Sequence, residues 1–217
     1  MMTKLCIFDL DGTLINSLYD LADAMNYALK KNHLPIHDRE KYRFMVGNGI
    51  SVLADRAMVV PEETDSELKQ QILTDFNSYY NAHNTDLTAP YDGIPELLTQ
   101  LSNLGIQYAV LSNKPDEFAP KIVKAVFPLH QFVCVWGKRD CFPRKPDPTS
   151  VLALINESGF TPEDCLYIGD SDVDIKTAKN AGLRNIGVSW GFRPVSELQD
   201  AGADFIANTP SEIINRL

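Results

Sequence analysis

Apolar residues fall along this chain in two rhythms. Short, nearly unbroken apolar runs predict strands over 5–8, 108–111, 132–135, 165–168, 185–188 and 204–206. Continuous apolar character over so few residues suits strands buried on both faces. Between these runs the pattern turns helical. The segment 93–104 carries Pro95 near its start and Gly105 past its end. Asp147-Pro148 reads as an N-cap with proline at the first helical position, and Gly159 closes that helix. Another helix is expected over 172–181, stopping at Gly182. Strands alternating with helices predict an α/β fold, a Rossmann-like parallel sheet with helices on both faces and right-handed crossovers.

One region breaks the alternation. From Asn16 to about Asp86 the pattern is helical with no convincing strand. Ser17 followed by Asp20 resembles a capping box. Leu18, Leu21, Ala22, Met25, Ala28 and Leu29 then share one helical face. Further helices are expected over 38–45, 50–59 and 66–82. The division that follows is a core of residues 1–15 and 88–217 with a small all-helical cap, 16–87, inserted after the first strand. Connectors would lie near Ile15-Asn16 and over 87–92.

Four polar clusters punctuate the predicted strand ends and loops. Asp9-Leu10-Asp11-Gly12-Thr13 places two carboxylates two residues apart, with a glycine that permits a sharp turn. Such a pair can serve a cation, proton transfer or nucleophilic attack. Ser112-Asn113-Lys114 supplies a hydroxyl, an amide and an ammonium, all suited to phosphoryl oxygens. Lys145 sits before a proline-marked helix start. Gly169-Asp170-Ser171-Asp172-Val173-Asp174 sets acids at alternate positions, with Asp172 as the expected helix cap and Asp170 and Asp174 as metal candidates. An EF-hand is excluded, because Ile175 and Ala181 stand where its glycine and glutamate would be. Strand carboxyl ends are where open α/β sheets gather ligands.

Composition narrows the field. Of 217 residues, 44% are hydrophobic and 23% charged, as in a globular domain rather than a disordered chain. Acids outnumber bases 29 to 20, for a formal charge of −9, and no basic run suggests nucleic acid as a partner. No stretch approaches the ~18 apolar residues of a membrane span, and the apolar run at the start is too short for a signal peptide. The four cysteines lack CxxC spacing and the four histidines lack zinc spacing, so free thiols in a cytoplasmic protein are expected.

The sequence resembles the haloacid dehalogenase superfamily. Asp9-x-Asp11-Gly12-Thr13, Ser112-Asn113, Lys145 and Gly169-Asp170-x-x-x-Asp174 match its four motifs in order, and the helical insertion matches its small cap. Asp11 through Ala22, Val46-Gly47-Asn48-Gly49 and Ser112-Asn113-Lys114-Pro115 are similar to the phosphoglycolate phosphatases within it, with Asn16 where aspartate is common. The resemblance implies a Mg²⁺-dependent phosphatase working through an aspartyl-phosphate on Asp9, with Asp11 as acid and base. Asp9, the Asp11 backbone carbonyl, Asp170 and Asp174 would serve the metal. Ser112, Asn113, Lys145 and Gly12 would serve the phosphoryl group, and Gly47, Asn48 and Gly49 a substrate-facing cap loop. Gly47-Asn48-Gly49 is not a dinucleotide fingerprint, since Val52 replaces its last glycine and no strand precedes it.

The implied partner is a small phosphorylated metabolite, first of all 2-phosphoglycolate, bound by a monomer or homodimer. Arg39, Lys41, Arg43 and Arg56 are candidates for a substrate carboxylate, and Trp136 and Trp190 are expected to pack rather than stack on substrate. Nucleotide or pyrophosphate hydrolysis, a sugar-phosphate mutase and a non-catalytic phosphate-binding module are the alternatives. The complete acid set argues against dehalogenation and against the non-catalytic module.

Overall fold

In the computed structural model, which describes residues 3–58 and 66–217, the chain builds a six-stranded sheet of order β5-β4-β1-β6-β7-β8 with every pairing parallel. The strands are β1 (Leu5–Phe8), β4 (Gln107–Pro115), β5 (Val135–Lys138), β6 (Cys165–Gly169), β7 (Arg184–Val188) and β8 (Phe205–Ala207). Helices α4 (Ile94–Asn103), α5 (Ala119–Val126), α6 (Thr149–Glu157), α7 (Asp172–Asn180), α8 (Val195–Asp200) and α9 (Pro210–Ile214) complete this part. The expected parallel α/β architecture is therefore present.

The apolar runs explain the layering. All four residues of β1 are buried, and they alternate between two cores. Cys6 and Phe8 pack with α4, α5 and α9, while Leu5 and Ile7 pack with Val151 and Leu154 of α6 and Ala178 of α7. A strand with two apolar faces must sit centrally. The connection from β1 leads toward β4 and that from β6 toward β7, on opposite sides. The carboxyl ends of β1 and β6 therefore flank the crevice where such sheets bind ligands.

Between β1 and β4 lie α1 (Leu18–Lys31), a 3₁₀ helix (Arg39–Phe44), α2 (Ile50–Ala57) and α3 (Ser66–His83). Met25 and Leu29 of α1 and Ile72 and Phe76 of α3 join one buried cluster. The helix expected over 50–59 ends at Ala57, and Val59 lies outside the described residues. The helix expected over 38–45 is the 3₁₀ helix Arg39–Phe44, begun by the Asp38 side chain accepting from the amide of Glu40 at 2.9 Å.

Both connectors to this unit are paired with each other. Ile15–Asn16 (β2) and Ala89–Pro90 (β3) form a two-stranded antiparallel ribbon that the pattern did not predict. The ribbon corrects the capping-box reading of Ser17 and Asp20. Buried Asp20 instead accepts from the amides of Leu87 and Thr88 and the Thr88 hydroxyl at 2.7–3.1 Å, fastening the second connector. Ser17 turns toward Asp11.

Other local expectations shift by a few residues. The strand read at 132–135 is β5, which runs over Val135–Lys138, although Val133 and Cys134 already exchange backbone hydrogen bonds with Tyr108 and Val110 of β4, and Phe132 packs edge-on against Tyr108. Pro148 is the cap position of α6 rather than its first residue, and Asp147 accepts from the Thr149 amide at 2.9 Å. The cysteines are free, with Cys6 and Cys165 buried and Cys141 exposed. Among the described residues, no helix is long and apolar enough to cross a membrane.

Candidate active site

The four polar clusters converge at the carboxyl edge of the sheet. The amide of Asp9 continues the β1–β6 ladder by donating to Ile168 at 2.9 Å, so its side chain emerges where hydrogen bonding ends. Asp170 follows β6 directly, and Asp174 lies one turn into α7. Carboxylate oxygens of Asp9, Asp170 and Asp174 lie within 4.8 Å of one another, and all three residues are buried.

Lys145 is the counter-charge to this trio. Its Nζ is 2.8 Å from Asp9 Oδ1 and 2.7 Å from Asp174 Oδ1, and 3.0 Å from both the Leu111 carbonyl and the Tyr167 hydroxyl. Burial opposes its charge, yet Asp174 and Asp9 outweigh that and hold its pKa well above the ordinary lysine value. One ammonium does not neutralise three carboxylates. Burial pushes Asp9 up to about 7 despite Lys145, with the charge of Asp174 adding to the rise. Burial, then the charges of Asp174 and Asp9, raises Asp170 as well. Like charges gathered out of water favour protonation or a bound cation. An all-oxygen donor set of this kind fits a hard divalent ion.

Two glycines make room for the trio. Gly12 has φ +92°, and a Cβ there would lie 2.3 Å from Asp170 Oδ2. A Cβ on Gly191 would lie 2.2 Å from that of Asp170. The neighbouring amide of Phe192 is thus free to donate to Asp170 Oδ2 at 2.7 Å. Asp172, expected to cap α7, is its first helical residue and pairs with Lys176. The cap is Ser171, whose hydroxyl and amide donate to Asp174 Oδ2 at 2.6 and 3.2 Å. This fixes the carboxylate that meets Lys145.

The carboxylate of Asp11 lies outside the trio. It accepts from the Ser17 hydroxyl at 2.5 Å and sits 3.0 Å from Lys114 Nζ. Asp9 and Asp11 open into one cavity together with Ser112, Asn113 and Lys114. Leu21, Val46, Gly47, Gly49, Ile50 and Leu53 of the inserted unit form its other side. Asn113 is already engaged. Its Oδ1 accepts from the Lys145 amide at 3.0 Å, and its Nδ2 donates to the carbonyls of Lys145 and Gly47 at 3.3 Å. It positions the Lys145 segment and the loop above it.

That loop, 45–49, is held down from the core. Arg193 donates to the carbonyls of Phe44 and Val46 at 3.2 and 3.0 Å, and Arg144 to that of Asn48 at 3.3 Å. Gly47 and Gly49 line the cavity, whereas Asn48 is not among its lining residues. The cations proposed for a carboxylate lie elsewhere. Arg39 pairs with Asp23, Arg56 donates to Phe44 and Met45 carbonyls, and Lys41 and Arg43 are exposed. Trp136 stacks on Phe142, and Trp190 donates to the Thr13 carbonyl at 3.1 Å, both as packing residues.

The model of the haloacid dehalogenase-like hydrolase family matches residues 6–188. A phosphoglycolate phosphatase of Vibrio parahaemolyticus is 33% identical over 216 residues, covering 97% of this chain and 94% of the relative. That of Pseudomonas putida is 33% identical over 219 residues, covering 100% of this chain and 78% of its own. The crystal structure of a protein from Lactobacillus delbrueckii assigned as a phosphoglycolate phosphatase superposes with a TM-score of 0.93 at 32% identity, covering 100% of this chain and 98% of the other.

Proposed function

The chain belongs to the haloacid dehalogenase-like hydrolase family, and on that premise we propose that it is a Mg²⁺-dependent phosphatase of small phosphomonoesters, with 2-phosphoglycolate as substrate. The single observation that carries this reading is the opening of Asp9 and Asp11 into one cavity, Asp9 backed by a buried cationic and acidic cluster and Asp11 set apart from it. The names of the relatives supply the substrate.

Asp9 acts as the nucleophile. One oxygen of its carboxylate forms a bond to phosphorus as the bond from phosphorus to the ester oxygen breaks, leaving an aspartyl-phosphate. Asp11 gives its proton to the departing alkoxide. It then takes a proton from the water that attacks phosphorus, releasing phosphate and restoring Asp9. Ser17 and Lys114 hold Asp11 away from the trio, so the two carboxylates have separate tasks. Ser112 and Lys145 face the phosphoryl oxygens with a hydroxyl and an ammonium. Asp9, Asp170, Asp174 and the Asp11 carbonyl would hold Mg²⁺. When bound, it supplies positive charge that lets an anionic nucleophile approach an anionic ester.

Residues 16–87 act as a cap in this reading, closing over the substrate and excluding bulk water. The hydrogen bonds from Arg193, Arg144 and Asn113 to loop 45–49 support a closed arrangement. The test is phosphate release with and without Mg²⁺ from 2-phosphoglycolate, sugar phosphates, nucleotides, pyrophosphate and an aryl phosphate. A kcat/KM for 2-phosphoglycolate well above the rest, lost with EDTA, is expected. Activity spread evenly would remove the substrate assignment, and no release from any compound would remove the phosphatase.

A further inference from the structure

A second lysine is buried beside the nucleophile, and the scheme above uses it only to hold Asp11. Lys114 lies in β4, two residues beyond Ser112, with 2% of its side chain exposed. Its Nζ is 3.0 Å from Asp11 Oδ1 and donates to the Tyr80 hydroxyl of α3 at 2.8 Å. The ammonium has three N–H groups, so two partners leave one donor. Among the described residues lining the cavity that Asp9 and Asp11 share with Ser112, Lys114 is the one cation; Lys145 and Arg193 line the adjoining space on the Asp170 side. The wall facing it from the inserted unit is apolar, made by Leu21, Ile50 and Leu53.

The chemistry of the ester fixes what lies next to that donor. Asp11 must reach the ester oxygen to protonate it, so the first atoms of the leaving group lie beside Asp11. They are then within a few ångströms of Lys114. A neutral leaving group would offer the remaining N–H no acceptor there, and an unmet buried donor is costly. A carboxylate on the carbon that bears the ester oxygen would meet it. The leucine and isoleucine side chains of the facing wall offer a polar chain no hydrogen-bonding partner.

Resting on the phosphatase reading, we propose that Lys114 is the specificity-determining residue: held between Asp11 and Tyr80, it binds the carboxylate of a short α-carboxylated leaving group and selects that ester over uncharged ones. Because Tyr80 comes from α3, recognition also depends on the position of the inserted unit.

The test compares kcat/KM for 2-phosphoglycolate and for ethyl phosphate, which has the same length without the charge, in the Mg²⁺-loaded protein. The wild type should prefer 2-phosphoglycolate by roughly 10–100-fold, as one charge-assisted hydrogen bond implies. Lys114→Met should slow both esters, because Lys114 also holds Asp11, and should bring that ratio to within about threefold of unity. Tyr80→Phe removes one hydroxyl and should lower the ratio several-fold, which keeps the test alive if Lys114→Met does not fold. If both variants lose the same factor on both esters and the ratio stands, the inference is overturned while the phosphatase remains. If the wild type prefers ethyl phosphate, the inference and the assigned substrate both fall. If it hydrolyses neither, the phosphatase reading fails first and takes the inference with it.

Discussion

Nζ of Lys145 lies 2.8 Å from Oδ1 of Asp9, although 136 residues separate them in the chain. The same Nζ is 2.7 Å from Asp174. The ammonium is therefore a strut of the site, in addition to the phosphoryl-binding role proposed for it. Breaking a buried pair by removing one partner costs about 3–5 kcal/mol. Lys145→Met should lower the melting temperature of the metal-free protein markedly and reduce kcat by about 10²–10³-fold, the usual loss for one charge-stabilising donor. Thermal melts and steady-state rates check both. Mg²⁺ should restore more of the stability than of the rate.

The metal-free protein should respond to pH in a definite direction. Burial raises Asp9 from 3.8 to about 7 in the fold. A raised carboxylate binds its proton more tightly when folded, so its contribution to stability is full below about pH 4 and is lost as pH rises through about 7. Asp170, also raised, adds in the same direction. In EDTA the melting temperature should therefore fall between pH 5 and 8. Millimolar Mg²⁺ should raise it more at pH 8 than at pH 5, because the ion competes with protons for these carboxylates. An equal shift at both values would contradict the assignment of the trio to the metal.

Arg193 links the 45–49 loop to the segment that holds Asp170. Its neighbour Phe192 donates to Asp170, while its own guanidinium holds the carbonyls of Phe44 and Val46. Two such hydrogen bonds are worth about 1 kcal/mol each. Arg193→Ala should raise KM about tenfold and increase cleavage of the 45–49 loop by protease, with the core sheet unchanged by circular dichroism.

The sheet and the acid clusters were legible in the sequence because each rests on a short contiguous signal. Leu5-Cys6-Ile7-Phe8 is an apolar run that can only be central, and Asp9 follows it. What escaped was set by partners distant in sequence. Ser17 and Asp20 have the spacing of a capping box, but Asp11 and the Leu87–Thr88 amides claim their side chains. Asn113 has the chemistry of a phosphate ligand, and the fold uses it to hold Lys145 and Gly47. Arg193 and Tyr80 carry no local signature: Arg193 reaches the site from the segment after β7 and Tyr80 from α3, each through a partner distant in sequence.

The central claim is that the carboxylate of Asp9 attacks phosphorus. Asp9→Asn keeps the shape of the side chain and removes its nucleophilic oxygen. The decisive measurement is phosphate release from 2-phosphoglycolate by wild type and Asp9→Asn in Mg²⁺, with melting curves to show that both are folded. The account predicts release by the wild type that EDTA abolishes, and release by the variant at least about 10⁴-fold slower. A folded Asp9→Asn protein that releases phosphate within tenfold of the wild-type rate would contradict it.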